Sequence, residues 1–275
     1  MVQRLLLLAT LCGCLNTLPS QAQELPVFDA HIHYSQADWE VLSPAQVLAI
    51  LDHAGVRWAL VSSTPDEGTL KLYDAAPHRI IPCLRPYRSQ SDMRSWHSDP
   101  TIQSYVEERL QRGVYKGIGE FHLAAEHVNA PVVQRFAALA EQQQLFLHAH
   151  VDAAAVEKML QRYPHVRILW AHAGMSATAE TVGRLLDRFT HLWVELSLRT
   201  DVAPNDTLAP DWRALFLRHP DRFLVGTDTW MTRRWDMLVT GMQQIRTWLG
   251  QLPPEVAAQI AHRNGERLFG SPVKP

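Results

Sequence analysis

The chain has 275 residues, 47% hydrophobic and 20% charged, with a formal net charge of −2. That length allows one large domain or two small ones, and the apolar content is ample for a core. No stretch gathers the clustered Lys and Arg of a nucleic-acid binder, so a duplex-DNA partner is disfavoured.

The first predicted element is a signal peptide over residues 1–22. Met1-Val2-Gln3-Arg4 is a short positive region, followed by an apolar run from Leu5 to about Leu15 that is too short to span a bilayer. Pro19-Ser20-Gln21-Ala22 offers small residues to a signal peptidase, which predicts cleavage after Ala22. The remainder, 23–275, is then a single exported domain, in a bacterium a periplasmic one, with no transmembrane segment. Leu11-Cys12-Gly13-Cys14 also resembles a bacterial lipobox, which would anchor the protein through a lipidated Cys14, although Cys12 is unusual inside such a box. Either route leaves Cys83 as the only unmodified cysteine, in an apolar run where a buried thiol is expected, and no intrachain disulfide.

Strands are predicted at 26–32, 57–62, 79–84, 114–121, 144–149, 167–171, 191–196 and 222–226. Most are near-continuously apolar, as parallel strands buried on both faces are. Helices are predicted at 44–53, 101–112, 131–143, 153–163, 177–189, 209–218 and 233–249, with the crossover at 65–77 short and poorly defined. Ser43-Pro44 opens the first helix with a cap and a proline, and Gly55 and Gly113 stand where left-handed C-caps belong. Eight strand–helix alternations match a (β/α)8 TIM barrel. The rival doubly wound sheet usually carries a glycine-rich phosphate loop after its first strand; here that strand ends in histidines.

In such a barrel the active site lies at the C-terminal ends of the strands. Asp29-Ala30-His31-Ile32-His33 ends strand one, and period-two alternation would put Asp29, His31 and His33 on one face, with Asp29 deeper and structural. Glu120 and His122 end strand four, His148 and His150 strand five, His172 strand six, and Asp228 strand eight. Metal-ligand residue types thus occupy the functional ends of five strands, which a random placement of 14 histidines would rarely achieve. Imidazole and carboxylate donors suit a divalent ion such as zinc, which lowers the pKa of bound water to about 7. Arg85 follows strand three and Arg199 strand seven; each either grips an anionic substrate group or is a solvated loop side chain. His122 and His150 are expected to line the pocket, and Trp230 either walls it or packs within its loop.

The segments Phe28-Asp29-Ala30-His31-Ile32-His33, Gly117-Ile118-Gly119-Glu120-Phe121, Leu147-His148-Ala149-His150, Trp170-Ala171-His172-Ala173-Gly174 and Val225-Gly226-Thr227-Asp228 together resemble the amidohydrolase superfamily. The resemblance is strongest to its "amidohydrolase 2" branch, which also contains non-oxidative decarboxylases, and it covers about 26 to 270. It implies metal ligation by His31, His33 and His148. Asp228 would bind metal and accept a proton from the attacking water. His172 would hold a second metal or act as a base or orienting residue. Glu120 stands where many relatives carry a carboxylated lysine, and it sets one metal or two. The leading reading is a metal-dependent hydrolase of a small ester, lactone or amide, anionic if Arg85 or Arg199 grips it. The rivals are a decarboxylase of the same branch, a TatD-like phosphodiesterase and a non-catalytic metal- or ligand-binding barrel. Pairing of barrels into a homo-oligomer is compatible with all of these.

Overall fold

The computed structural model describes residues 25–270. The expected signal peptide and Cys14 lie outside the described residues. Eight strands form one parallel sheet in sequential order. They are Val27–Ile32 (β1), Val56–Val61 (β2), Ile80–Leu84 (β3), Gly117–His122 (β4), Phe146–His150 (β5), Arg167–Trp170 (β6), Leu192–Glu195 (β7) and Phe223–Leu224 (β8). The sheet closes on itself beyond the short β8: the Ala30 N–H donates to the Val225 carbonyl at 2.9 Å, and the Asp228 N–H to the His31 carbonyl at 2.7 Å. This is the expected TIM barrel.

The helices are Gln36–Trp39 (α1), Pro44–His53 (α2), Glu67–Ala75 (α3), Pro100–Leu110 (α4), Pro131–Gln143 (α5), Ala153–Arg162 (α6), Ala179–Arg188 (α7), Pro210–Arg218 (α8), Arg233–Leu249 (α9), Pro254–Ala258 (α10) and Asn264–Phe269 (α11). Ser43 caps α2 and, with Gln46, forms the reciprocal capping box. The poorly defined second crossover is α3. It contains Gly68 and Thr69, weak helix formers, and burial of both with Leu72 holds it in place. Among the described residues no helix is long and apolar enough to cross a membrane.

Two apolar layers sandwich the sheet. Val27, Ile32, Val61, Val194 and Val225 face the helices. Phe28, Ala30, Leu60, Cys83, Phe146, Leu169 and Leu224 fill the barrel interior. The helix α11 closes the bottom: Phe269 packs on Phe28 at 5.6 Å and Phe146 at 5.0 Å between ring centroids. Burying such a ring contributes roughly 2–3 kcal/mol. With the bottom filled by hydrocarbon, the polar side chains gather at the opposite, C-terminal end. Cys83 is buried and burial pushes its thiol up, so it belongs to this core, as expected.

Candidate metal centre

Two β-bulges aim the site. Along β1 the pairing advances from Asp29↔Ala59 to Ile32↔Val61, three residues against two. Along β4 it advances from Gly119↔His148 to Phe121↔Ala149, which makes Glu120 the extra residue. A bulge re-aims a side chain at the cost of one ladder position. Gly119 permits the second one: its φ is +135°, and an added Cβ would sit 2.2 Å from the His148 carbonyl oxygen. The β1 bulge breaks the simple alternation expected for Asp29, His31 and His33. Asp29 instead faces β8, accepting from Thr227 Oγ1 at 2.6 Å, Thr227 N at 3.1 Å and His31 N at 3.1 Å. Its structural role is as expected; its shared face is not.

His31 and His33 do converge, with Nε2 atoms 3.1 Å apart. Glu120 Oε2 lies 3.5 Å from His31 Nε2 and 3.3 Å from His33 Nε2. Asp228 Oδ1 lies 3.7 Å and 3.3 Å from the same two atoms. Zinc ligands about 2.0–2.1 Å from a tetrahedral ion stand about 3.3 Å from one another. The spacings of the histidine pair to Glu120 and to Asp228 therefore each suit a small cation.

The ring orientations fit as well. His31 Nδ1 lies 2.9 Å from Glu195 Oε2, His33 Nδ1 is bonded to the Ser62 carbonyl, and His172 Nδ1 lies 2.8 Å from Ser197 Oγ. Each ring gives its Nδ1–H to a protein acceptor, which assigns the lone pair to an inward Nε2. That is how metal-binding histidines are held. His172 Nε2 points at Glu120 Oε1, 3.4 Å away, and at Asp228 Oδ2, 4.0 Å away. His148 is buried with both ring nitrogens unpartnered among the described residues. Leaving a buried polar group so costs about 1–3 kcal/mol, and a metal ion would remove that cost. Its ligand atom lies within 4.8 Å of those of His31 and Glu195.

The electrostatics ask for a cation. Burial alone would lower the His31 pKa, but the carboxylates of Glu120, Asp228 and Glu195 outweigh it and raise the pKa well above normal. Against the same burial, the His31 charge holds Glu120 and Asp228 far below the usual carboxylate range and Glu195 at about 2. Burial, with the His31 charge beside it, pushes His148 down to the neutral form a ligand needs.

The backbone is strained where two candidates sit. His172 has φ +54° and Asp228 φ +52°, a region non-glycine residues rarely adopt. Two arginines hold these turns. Arg199 donates to the His172, Ala173 and Ala177 carbonyls and pairs with Asp201 through Nε and Nη2. All five of its N–H groups are engaged, so Arg199 braces the β6 turn and offers no donor to a substrate, contrary to one expectation. Arg234, which sequence reasoning missed, donates to the Asp228 and Thr227 carbonyls. Arg85 is likewise turned inward, 3.0 Å from Glu120 Oε2 and 3.2 Å from the Glu120 carbonyl. His150 Nδ1 meets Glu120 Oε1 at 2.8 Å, and His122 meets the Tyr87 hydroxyl. Trp230 stands 55% exposed at the rim. Glu195 was also missed, although an acid at the end of the apolar run Leu192-Trp193-Val194 was a usable signal.

A buried set of imidazoles and carboxylates at the C-terminal mouth of a TIM barrel is a candidate metal centre. The amidohydrolase family model matches residues 93–271, and the chain belongs to that family. Solved structures with the same fold include an uncharacterised TIM-barrel protein from Bordetella bronchiseptica (TM-score 0.63, 14% identity, 90% of this chain and 99% of that one). A Pseudomonas putida protein assigned as a 2-pyrone-4,6-dicarboxylic acid hydrolase matches at TM-score 0.61 and 15% identity, over 91% and 99% of the two chains. The Escherichia coli K12 TatD homologue YjjV matches at 0.62 and 17%, over 90% and 98%. No curated protein matches the chain.

Proposed function

We propose that the protein is a metal-dependent hydrolase of a small ester, lactone or amide. One observation carries the proposal: Glu120 Oε2 and Asp228 Oδ1 each lie 3.3–3.7 Å from the Nε2 atoms of His31 and His33, which are 3.1 Å apart, Nδ1 of each ring being bonded elsewhere. Those four residues would hold a divalent ion of the zinc class, with His148 and His172 beside them for the same ion or a second. When bound, the ion supplies Lewis acidity toward the scissile carbonyl and acidifies water. Asp228, ionised and with Oδ2 turned toward His172 Nε2, is placed to take the proton of the attacking water. If only one ion binds and His172 is not a ligand, its ring, steadied through Nδ1 by Ser197, is placed to pass a proton toward the leaving group. Arg85, paired with Glu120 Oε2, keeps that carboxylate aimed.

The decarboxylase reading is weaker. It assigns Arg85 or Arg199 to a substrate carboxylate; Arg199 is fully engaged by protein groups, and Arg85 is already paired with Glu120 through Nε and Nη2, which leaves only part of its guanidinium for a substrate. One feature beyond the site completes the proposal. The charged, apolar and small-residue segments of 1–22 support export, by cleavage after Ala22 or anchoring at Cys14. Sequencing the mature N-terminus separates them: Gln23 supports cleavage, a lipidated Cys14 the anchor.

The test is turnover of a panel of nitrophenyl esters, lactones and anilides by zinc-loaded protein. A pyrone lactone belongs in it, given the name of the Pseudomonas putida neighbour. Asp228→Asn should lower kcat by about 10²–10⁴-fold with the fold intact. Equal rates in wild type and Asp228→Asn, or release of carbon dioxide in place of an acid, would overturn the reading.

A further inference from the structure

Metal-ligand types also gather outside the inner four donors. Pairing of β4 with β5 sets His122 opposite His150, and their rings stack with centroids 4.2 Å apart and planes 30° from parallel. The β4 bulge turns the other Glu120 oxygen, Oε1, toward this pair, 2.8 Å from His150 Nδ1. Ligand atoms of Glu120, His122 and His150 all lie within 4.8 Å of one another. His122 and His150 are only partly buried and border an open cavity of about 560 Å³, which His97, His127 and two methionines also line.

We propose that Glu120 Oε1, His122 and His150 form an outer site for a borderline divalent ion of the zinc class, distinct from the inner centre. Two imidazoles and one carboxylate are a three-ligand zinc set that leaves a coordination position toward the cavity. The Tyr87 hydroxyl, 3.3 Å from His122 Nδ1, orients that ring as a partner outside the ligand set does. Glu120 links the two sites, its Oε2 directed at His31 and His33 and its Oε1 at the outer pair. The outer donors are fewer and more exposed, so this site binds more weakly than the inner one. An ion there would share Glu120 with the inner centre, so excess zinc should inhibit turnover.

The test is equilibrium dialysis against rising free zinc with elemental counting, which needs no substrate. Wild-type protein should show a tight phase and then a further, weaker equivalent. His122→Gln should move the weaker phase at least tenfold to higher zinc and leave the tight phase in place. His150→Asn, a second variant in case the first folds poorly, should do the same. Isotherms of both folded variants within twofold of wild type would overturn the proposal. So would a wild-type isotherm with no weaker equivalent. A weaker phase without a tight one would support the outer site and instead defeat the inner-centre reading.

Discussion

His148 offers a prediction with opposite signs in the metal-free and metal-loaded protein. The side chain is 1% exposed, and neither ring nitrogen has a partner among the described residues. A neutral imidazole carries one donor and one acceptor, so two groups are unsatisfied, at about 1–3 kcal/mol each. His148→Leu removes both while nearly keeping the volume. After some loss to imperfect packing, the metal-stripped variant should be about 2 kcal/mol more stable than metal-stripped wild type. In a domain of this size that raises the melting temperature by about 4–8 °C. With zinc at a hundredfold excess over its Kd, wild type should gain about 2.7 kcal/mol. If losing this ligand weakens binding about a hundredfold, the variant gains only about 0.4 kcal/mol from the same zinc. Thermal melts of both proteins, with chelator and with zinc, give all four numbers. A stripped variant that melts below stripped wild type, with an undiminished zinc shift, would refute the reasoning.

Other residues make narrower predictions. Glu195→Gln should weaken zinc about 10–100-fold in chelator competition, because His31 loses its anionic acceptor; a change under twofold contradicts this. Gly226→Ala should do at least as much, since the new Cβ would stand 2.4 Å from Glu195 Oε1 and 2.9 Å from His31 Cβ. Arg199→Ala leaves three backbone carbonyls without their donor and should cost about 3 kcal/mol in urea unfolding. If its main effect were instead a higher KM for anionic substrates alone, the bracing role would be wrong. Burial holds the His122 pKa at about 4, against the pull of Glu120. The ordinary value is about 6.5, so the folded state binds fewer protons between those values, and stability falls as pH drops through that window. From pH 7 to 5 the loss from this group is about 2 kcal/mol, and His122→Gln should remove that part of the acid sensitivity in metal-stripped protein.

The barrel was legible because buried parallel strands are written as apolar runs and the helices between them carry caps and periodicity. The strand ends carried the site because chemistry in this fold gathers there. What the sequence hid was mostly geometry. The β1 bulge removes Asp29 from the face of His31, and period-two reasoning has no way to place an inserted residue. Glycine at 119, inside a strand, was the one local sign that β4 is bulged at Glu120. Arg199 looked like a substrate grip because an arginine after a strand reads the same whether it meets a ligand or braces a turn. Only the carbonyls around Arg199, supplied by the left-handed turn at His172, decide that. α3 was blurred because Gly68 and Thr69 weaken its helical pattern while tertiary burial supplies what propensity lacks.

We propose above all that His31, His33, Glu120 and Asp228 hold a divalent ion. Elemental analysis of protein purified without chelators tests it most directly, with His31→Ala alongside. At least one tightly held equivalent of a zinc-class ion per wild-type chain is expected, lost from the folded variant. Wild-type protein that carries no ion and takes up none from micromolar zinc would contradict it.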